Sequence, residues 1–90
     1  MTRKTRFPFG RAKPVIVEWE DSAATGRWGS REEYRDRGDK NTGPIRSVGW
    51  VNHRSARVIQ LVQTQSAATG DVCDAITIPR ACVKRIRLCR

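Results

Sequence analysis

Short runs of alternating apolar and polar side chains, separated by turn residues, predict strands along most of the chain. The first run is typical: Val15, Val17 and Trp19 fall on one face, and Glu18 and Glu20 fall on the other. Valine and isoleucine dominate the apolar set, which favours strands over helices. The pattern predicts five strands, at residues 15–20, 45–53, 57–64, 72–78 and 83–88.

Two of these segments carry features beyond simple alternation. Gly49 interrupts the second strand and predicts a bulge or a strong bend there. In the third strand, Val58 and Val62 compete with Ile59 and Leu61 for the face that packs into the core. That run is too apolar for its periodicity to decide between them.

The stretch that ends the fourth strand is the most informative part of the chain. Pro79 fixes its own φ and has no N–H to donate, so it predicts the end of that strand. The next three residues, 80–82, have the length of a single 3₁₀ turn. A strand, one 3₁₀ turn and a closing strand resemble the C-terminal end of small five-stranded SH3-like and Sm-like barrels. The resemblance implies an all-β fold whose closure removes exposed sheet edges.

The connection between the first two strands, residues 21–44, is too long for a hairpin loop. Ser30 and Glu33 form a capping box, and Gly38 suits a helix C′ position, so a short helix is predicted over about 31–37. Trp28 and Tyr34 are the large apolar groups of this segment. We favour packing over the open end of the barrel for both, and the alternative is an aromatic contact surface for a partner.

A five-residue repeat, SAATG, occurs at 22–26 and again at 66–70, each time directly after a predicted strand. Shared turn chemistry is the favoured explanation, because the repeat combines small residues with a glycine that can adopt a positive φ. The alternative is a pair of loops that offer hydroxyl and backbone N–H groups to a nucleotide phosphate.

Length and composition restrict the class of protein. Ninety residues make a single small domain. We expect neither a transmembrane helix nor a secretory signal, because no apolar run has the required length. Three cysteines without a C-x-x-C pair favour a reducing cytoplasm over a disulfide-rich secreted scaffold. The prediction is a basic flexible arm at 1–13 and one β-barrel domain at 14–90.

The net charge of +9 is concentrated at the two ends of the chain. Residues 1–13 and residues 80–90 each contain five basic residues and no acidic one, whereas 14–79 contain eight basic and nine acidic residues. Such an uneven distribution predicts an electropositive face that binds polyanions. The candidate nucleic-acid contacts are Arg3, Lys4, Arg6, Arg11, Lys13, Arg80, Lys84, Arg85, Arg87 and Arg90.

Catalysis and metal or cofactor binding are not predicted. His53 is the single histidine, and no local signature places a nucleophile beside a base. A zinc site would need His53 to converge with Cys73, Cys82 and Cys89, whose spacing lacks paired ligands. We expect Cys73 and Cys82 to be small buried apolar residues instead. No glycine-rich phosphate loop is present.

Three short segments, taken in order, carry a family resemblance: VEWEDS at 17–22, SVGW at 47–50 and ITIPR at 76–80. Together they resemble a group of small, mostly uncharacterised accessory proteins of tailed bacteriophages, over roughly residues 14–88. The resemblance implies a virus-encoded protein that acts in the host cytoplasm. It supplies no activity to assign to particular residues.

The leading functional prediction is a non-enzymatic accessory protein that contacts nucleic acid or a nucleoprotein complex through its basic ends. The alternative is an inhibitor that docks on a host protein through the long loop with Trp28 and Tyr34. A third, less favoured hypothesis is a nucleotide-binding sponge built on the paired SAATG loops. Small barrels of this kind often assemble through exposed strand edges, so a homo-oligomer is a further alternative.

Overall fold

The computed structural model describes residues 6–21, 28–38 and 43–89. They form five strands, one α-helix and one 3₁₀ turn. In chain order these are β1 (Val15–Asp21), α1 (Arg31–Gly38), β2 (Gly43–Arg54), β3 (Val58–Gln65), β4 (Val72–Pro79), the 3₁₀ turn (Arg80–Cys82) and β5 (Val83–Leu88). The five predicted strands, the helix in the long connection and the 3₁₀ turn are thereby confirmed.

All five strands belong to one antiparallel sheet with the order β4-β3-β2-β1-β5. The first four strands follow each other as neighbours, and the 3₁₀ turn carries the chain back so that β5 pairs with β1. The described residues contain no ladder between β4 and β5, so the sheet is open there. The mainly β prediction is confirmed at this level.

The pairing partner of β2 changes in the middle of the strand. Gly43 to Gly49 pair with β1, whereas Trp50 to Arg54 pair with β3. At the change of partner, a Cβ atom on Gly49 would lie 2.6 Å from the carbonyl oxygen of Val62. Glycine therefore allows the backbone of β3 to approach β2 closely. The register irregularity of β2 against β3 lies between Val51 and His53, two residues after Gly49, where the sequence predicted a bulge or a bend.

The main core lies on one face of this sheet. It consists of Val15, Val17, Ile59, Leu61 and Ile78, which are almost completely buried. Because β1, β3 and β4 all contribute, the core ties both halves of the sheet together. The ambiguity in β3 is resolved in favour of Ile59 and Leu61.

The opposite face of β3 is covered by the N-terminal segment. Phe9 stacks on Trp50 with ring centroids 6.3 Å apart and planes 2° from parallel. The Trp50 indole N–H donates to the Ala12 carbonyl oxygen at 2.9 Å, and the Phe9 N–H donates to the Gln65 side chain at 3.2 Å. Val62 pairs with Trp50 and is fully buried, although it lies outside the main core. The described part of the arm is thus attached to the sheet, and Phe9 packs on it.

Two packing predictions are wrong. Cys73 is exposed, because it pairs with Thr64 beyond the part of the sheet that covers the core. Trp28 is fully exposed rather than packed over the sheet. Tyr34 is likewise 37% exposed and no residue of α1 is buried, so neither aromatic residue shows the predicted packing.

The predicted helix start is confirmed in detail. The Ser30 side-chain oxygen accepts a hydrogen bond from the Glu33 N–H at 3.1 Å, and the Ser30 carbonyl accepts from the Tyr34 N–H at 3.2 Å. The Tyr34 ring lies over the backbone of Gly29. Gly38, predicted to follow the helix, is its last residue.

The second SAATG segment is a compact turn. Gly70 has a φ of +77°, and its N–H donates to the Ser66 carbonyl at 2.9 Å. The Ser66 hydroxyl oxygen accepts from the Thr69 N–H, and the Thr69 hydroxyl oxygen accepts from the Asp71 N–H. These bonds within the turn agree with the turn-chemistry explanation. The first SAATG segment, 22–26, lies outside the described residues.

Candidate nucleic-acid interface

An open groove runs along the outer side of β1 and β5, where described residues of the N-terminal and C-terminal basic segments meet. It is lined by Lys13, Ile16, Arg85, Arg87, Leu88 and Cys89. The Cys89 N–H donates to the Pro14 carbonyl oxygen at 2.9 Å, which extends the β1–β5 pairing up to the start of β1. The groove therefore contains one lysine of the N-terminal basic segment and two arginines of the C-terminal one.

The orientation of the two arginines follows from strand alternation. Val17 pairs with Ile86, and these two side chains pack at the main core. Arg85 and Arg87 flank Ile86 in the same strand, so they lie on the opposite, outer face. Both are exposed. The sheet thereby places two cationic side chains of one strand on the same face.

Lys84 has a different position from its neighbours. The register between β1 and β5 shifts between Glu18 and Trp19: Glu18 pairs with Arg85, whereas Trp19 pairs with Val83. Lys84 is the extra residue of this bulge, and it is exposed. It continues the basic character of β5 without lining the groove.

One carboxylate stands among these cations. The same oxygen of Glu18 lies 3.4 Å from Arg46 Nε in β2 and 3.5 Å from Arg87 Nη2 in β5. The Arg46 side chain is 71% exposed and the Arg87 side chain is 43% exposed. Both guanidinium groups thus remain accessible to a further anion.

The structure separates Arg80 from the groove. Arg80 begins the 3₁₀ turn, before the first residue of β5, and its N–H donates to the Arg57 carbonyl oxygen at 2.8 Å. It therefore lies beside the β2–β3 connection, whereas the groove is at the end of β5. The sequence predicted that all C-terminal cations cluster, but Arg80 does not line the groove, because it precedes β5 and the groove lies at the other end of that strand.

The remaining N-terminal cations are distributed along the arm. Arg6 and Arg11 are exposed on the segment that runs from Lys13 past Trp50 towards Gln65. Arg3, Lys4 and Arg90, which the sequence also proposed as nucleic-acid contacts, lie outside the described residues.

The aromatic contact surface predicted from Trp28 and Tyr34 does not coincide with the groove. Trp28 precedes α1 and is fully exposed, and Tyr34 in α1 is 37% exposed. Neither residue lines the groove. The two aromatic residues are therefore distinct from the residues that line the groove.

The cationic surface consists of the groove cations Lys13, Arg85 and Arg87 together with Arg46. Sequence reasoning did not identify Arg46 as part of it. Arg46 lies in the neutral middle of the chain, where local charge gives no signal. It joins the surface only because the register places it opposite Glu18 in β1. The alternation of β2 could have placed Arg46 on an outer face, but not beside Arg87.

Two structural absences hold for the described residues. No three His, Cys, Asp or Glu side chains come together there in a group that could hold a metal ion. Within residues 6–21, 28–38 and 43–89, no helix is long and apolar enough to cross a bilayer. The absence of catalysis remains a prediction from the sequence.

Comparison with known protein families, with curated proteins and with solved structures found no match to this chain.

Proposed function

We propose that this protein is a non-enzymatic accessory protein that binds nucleic acid through the groove along the outer side of β1 and β5. The observation that carries the proposal is the meeting of Lys13 with Arg85 and Arg87 in one groove. These residues belong to the two segments that hold the excess positive charge of the chain. A polyanion that lies along β5 contacts cations from both segments at once.

The chemistry of the groove fits phosphate more closely than bases. Its cations are exposed arginines and a lysine, and arginine binds phosphate oxygens in a bidentate manner. Such contacts give affinity that depends little on sequence, with a Kd on the order of 10⁻⁴–10⁻⁶ M at physiological salt. The function we expect is therefore contact with the backbone rather than the reading of a base sequence.

We further propose that the sheet is of the SH3-like or Sm-like kind and that β4 and β5 approach each other in solution. The strand order and the 3₁₀ turn before β5 support this assignment. Closure would protect the backbone N–H groups of the two edge strands. Amide exchange in β4 and β5 as slow as in β2 would agree with a closed barrel, and fast exchange at both edges would contradict it.

The biological setting is the one that the segments VEWEDS, SVGW and ITIPR imply. We propose an accessory protein of a tailed bacteriophage that acts in the host cytoplasm. Expression of the protein in bacteria, followed by fractionation with and without nuclease, tests this setting. Co-sedimentation with host nucleic acid that nuclease abolishes is the expected result.

The direct test is a binding titration by fluorescence anisotropy. The probes are a labelled DNA duplex and a labelled RNA strand of about 20 nucleotides, measured between about 50 and about 200 mM salt. Replacing Arg85 and Arg87 together by glutamine should weaken binding to both probes and reduce the salt slope by about two. The matched control replaces Arg54 and Arg57, which lie at the β2–β3 connection. Absence of binding at low salt, or an equal loss in both double variants, would refute the proposed function.

One observation favours a second candidate function. A fully exposed tryptophan beside an exposed helix is typical of a residue that becomes buried against a protein partner. We propose, as the alternative, that Trp28 and Tyr34 dock on a host protein. Pull-down from nuclease-treated lysate with the wild type and with Trp28→Ala separates the two functions: a protein partner retained only by the wild type favours docking.

A further inference from the structure

The pairing of three strands places a row of charged residues across the outer face of the sheet. Arg46 in β2 pairs with Glu18 in β1, and Glu18 pairs with Arg85 in β5. Paired residues of neighbouring antiparallel strands point to the same face, with Cβ atoms about 4.5–5.5 Å apart. Arg87 lies two residues further along β5 on that face. The cationic surface is thus wider than the groove alone.

The ion pairs in this row are loose. The distances from Glu18 to Arg46 and to Arg87 are 3.4 and 3.5 Å, longer than the roughly 2.7–2.9 Å of a strong charge-assisted hydrogen bond. Both bonds use the same carboxylate oxygen, and the Glu18 side chain is only 26% exposed. The arginines are held on either side of one carboxylate, and neither is saturated by it.

A phosphate group has the charge and the number of oxygen acceptors to bind both guanidinium groups more completely than one carboxylate oxygen does. We infer that Arg46 belongs to the phosphate-binding surface. We also infer that in the free protein the Glu18 carboxylate occupies the position between Arg46 and Arg87 that a phosphate occupies in the complex. This inference rests on the proposed function and adds two residues to it.

Glu18 consequently acts as an internal competitor. In the free protein its carboxylate keeps the arginines of β2 and β5 directed towards each other. In the complex the carboxylate opposes the phosphate by like-charge repulsion, which lowers the affinity. Removing its charge should therefore tighten binding, whereas removing Arg46 should weaken it.

The test compares Glu18→Gln with the matched variant Glu20→Gln. The two substitutions change the net charge equally, and both positions lie on the outer face of β1. Among the contacts of the described residues, Glu20 forms no ion pair with an arginine. Glutamine keeps a side-chain oxygen that accepts hydrogen bonds from the guanidinium groups, so the fold is retained.

The measured quantities are the Kd values for the DNA duplex and for inorganic polyphosphate, and their salt dependence. Glu18→Gln should bind both polyanions about threefold to tenfold more tightly than the wild type at about 100 mM salt, with a salt slope steeper by about one. Glu20→Gln should differ from the wild type by less than about twofold. Arg46→Gln should weaken binding, and Arg54→Gln at the far end of β2 should not.

A double variant distinguishes the specific role from a general effect of charge. The gain from Glu18→Gln should shrink in the Arg46→Gln background, because the guanidinium group that the substitution releases is then missing. Equal gains in both backgrounds, or equal effects of Glu18→Gln and Glu20→Gln, would overturn the inference while leaving nucleic-acid binding in place. Failure of every variant to bind either polyanion would overturn the inference together with the proposed function.

Discussion

Replacing Gly49 by alanine places a methyl group against the backbone of β3. The new Cβ would lie 2.6 Å from the Val62 carbonyl oxygen and 3.2 Å from the Leu61 Cβ. Both atoms belong to the central part of the sheet and cannot rotate away as the end of a flexible side chain can. The backbone path of β2 or the position of β3 has to change, and Leu61 in the core moves with it.

The size of the effect follows from two opposing contributions. Overpacking in a well-packed region costs about 1–3 kcal/mol, and the reduced entropy of the unfolded chain returns about 0.4–1 kcal/mol. We expect Gly49→Ala to lower the free energy of unfolding by about 1–2 kcal/mol. For a domain of this size the melting temperature should then fall by about 4–16 °C.

Gly43→Ala is the matched control, because Gly43 begins the same strand and a Cβ there meets no atom within 4 Å. It should leave stability unchanged or raise it by up to about 1 kcal/mol. Urea unfolding followed by tryptophan fluorescence measures both variants, with equal m-values as the check that the same surface is exposed. If the two alanine variants are equally stable, the close approach at Gly49 does not shape the sheet as argued.

Three further predictions concern the core, the arm and the helix. Ile59→Ala should lower the free energy of unfolding by about 2–5 kcal/mol in urea titration, because Ile59 is fully buried. Phe9→Ala should cost about 0.5–1.5 kcal/mol and speed tryptic cleavage of the arm, because the stack on Trp50 is lost. Ser30→Ala should weaken α1 by about 1 kcal/mol through loss of its cap, seen as faster amide exchange in α1 with an unchanged melting temperature.

Each of these three has a result that would contradict it. If Ile59→Ala had the same free energy of unfolding as the wild type, Ile59 would not stabilise the core as argued. Phe7→Ala is the control for the arm, since Phe7 is about half exposed, and equal cleavage rates in the Phe7 and Phe9 variants would contradict anchoring by the stack. Unchanged exchange in Ser30→Ala would mean that the cap does not stabilise α1.

Local pattern was sufficient for the secondary structure of this chain. Alternation predicted all five strands to within two residues at each end. Pro79 located the end of β4 to within one residue, and the 3₁₀ turn had its predicted bounds. These features depend on side-chain periodicity and on the backbone chemistry of proline, which act within a few residues. The helix cap at Ser30 is of the same kind.

Local pattern was not sufficient for the placement of single side chains. Cys73 reads as a small apolar residue in a strand, but its exposure depends on which part of β3 it pairs with. Trp28 reads as a packing residue, but whether a surface lies beneath it depends on where α1 is held. Both outcomes are set by contacts with residues distant in sequence.

The sequence by itself determined the elements of this protein and the concentration of positive charge at its two ends. The tertiary structure decided which charges lie together. Lys13 lies in one groove with Arg85 and Arg87, and Arg46, from the neutral middle of the chain, shares the Glu18 carboxylate with Arg87. Arg80 lies apart from them, beside the β2–β3 connection. The physical reason is register. The backbone hydrogen bonds between antiparallel strands do not depend on which side chains the strands carry. The register, and with it the residues that lie opposite each other, is therefore set only when the whole sheet buries its core.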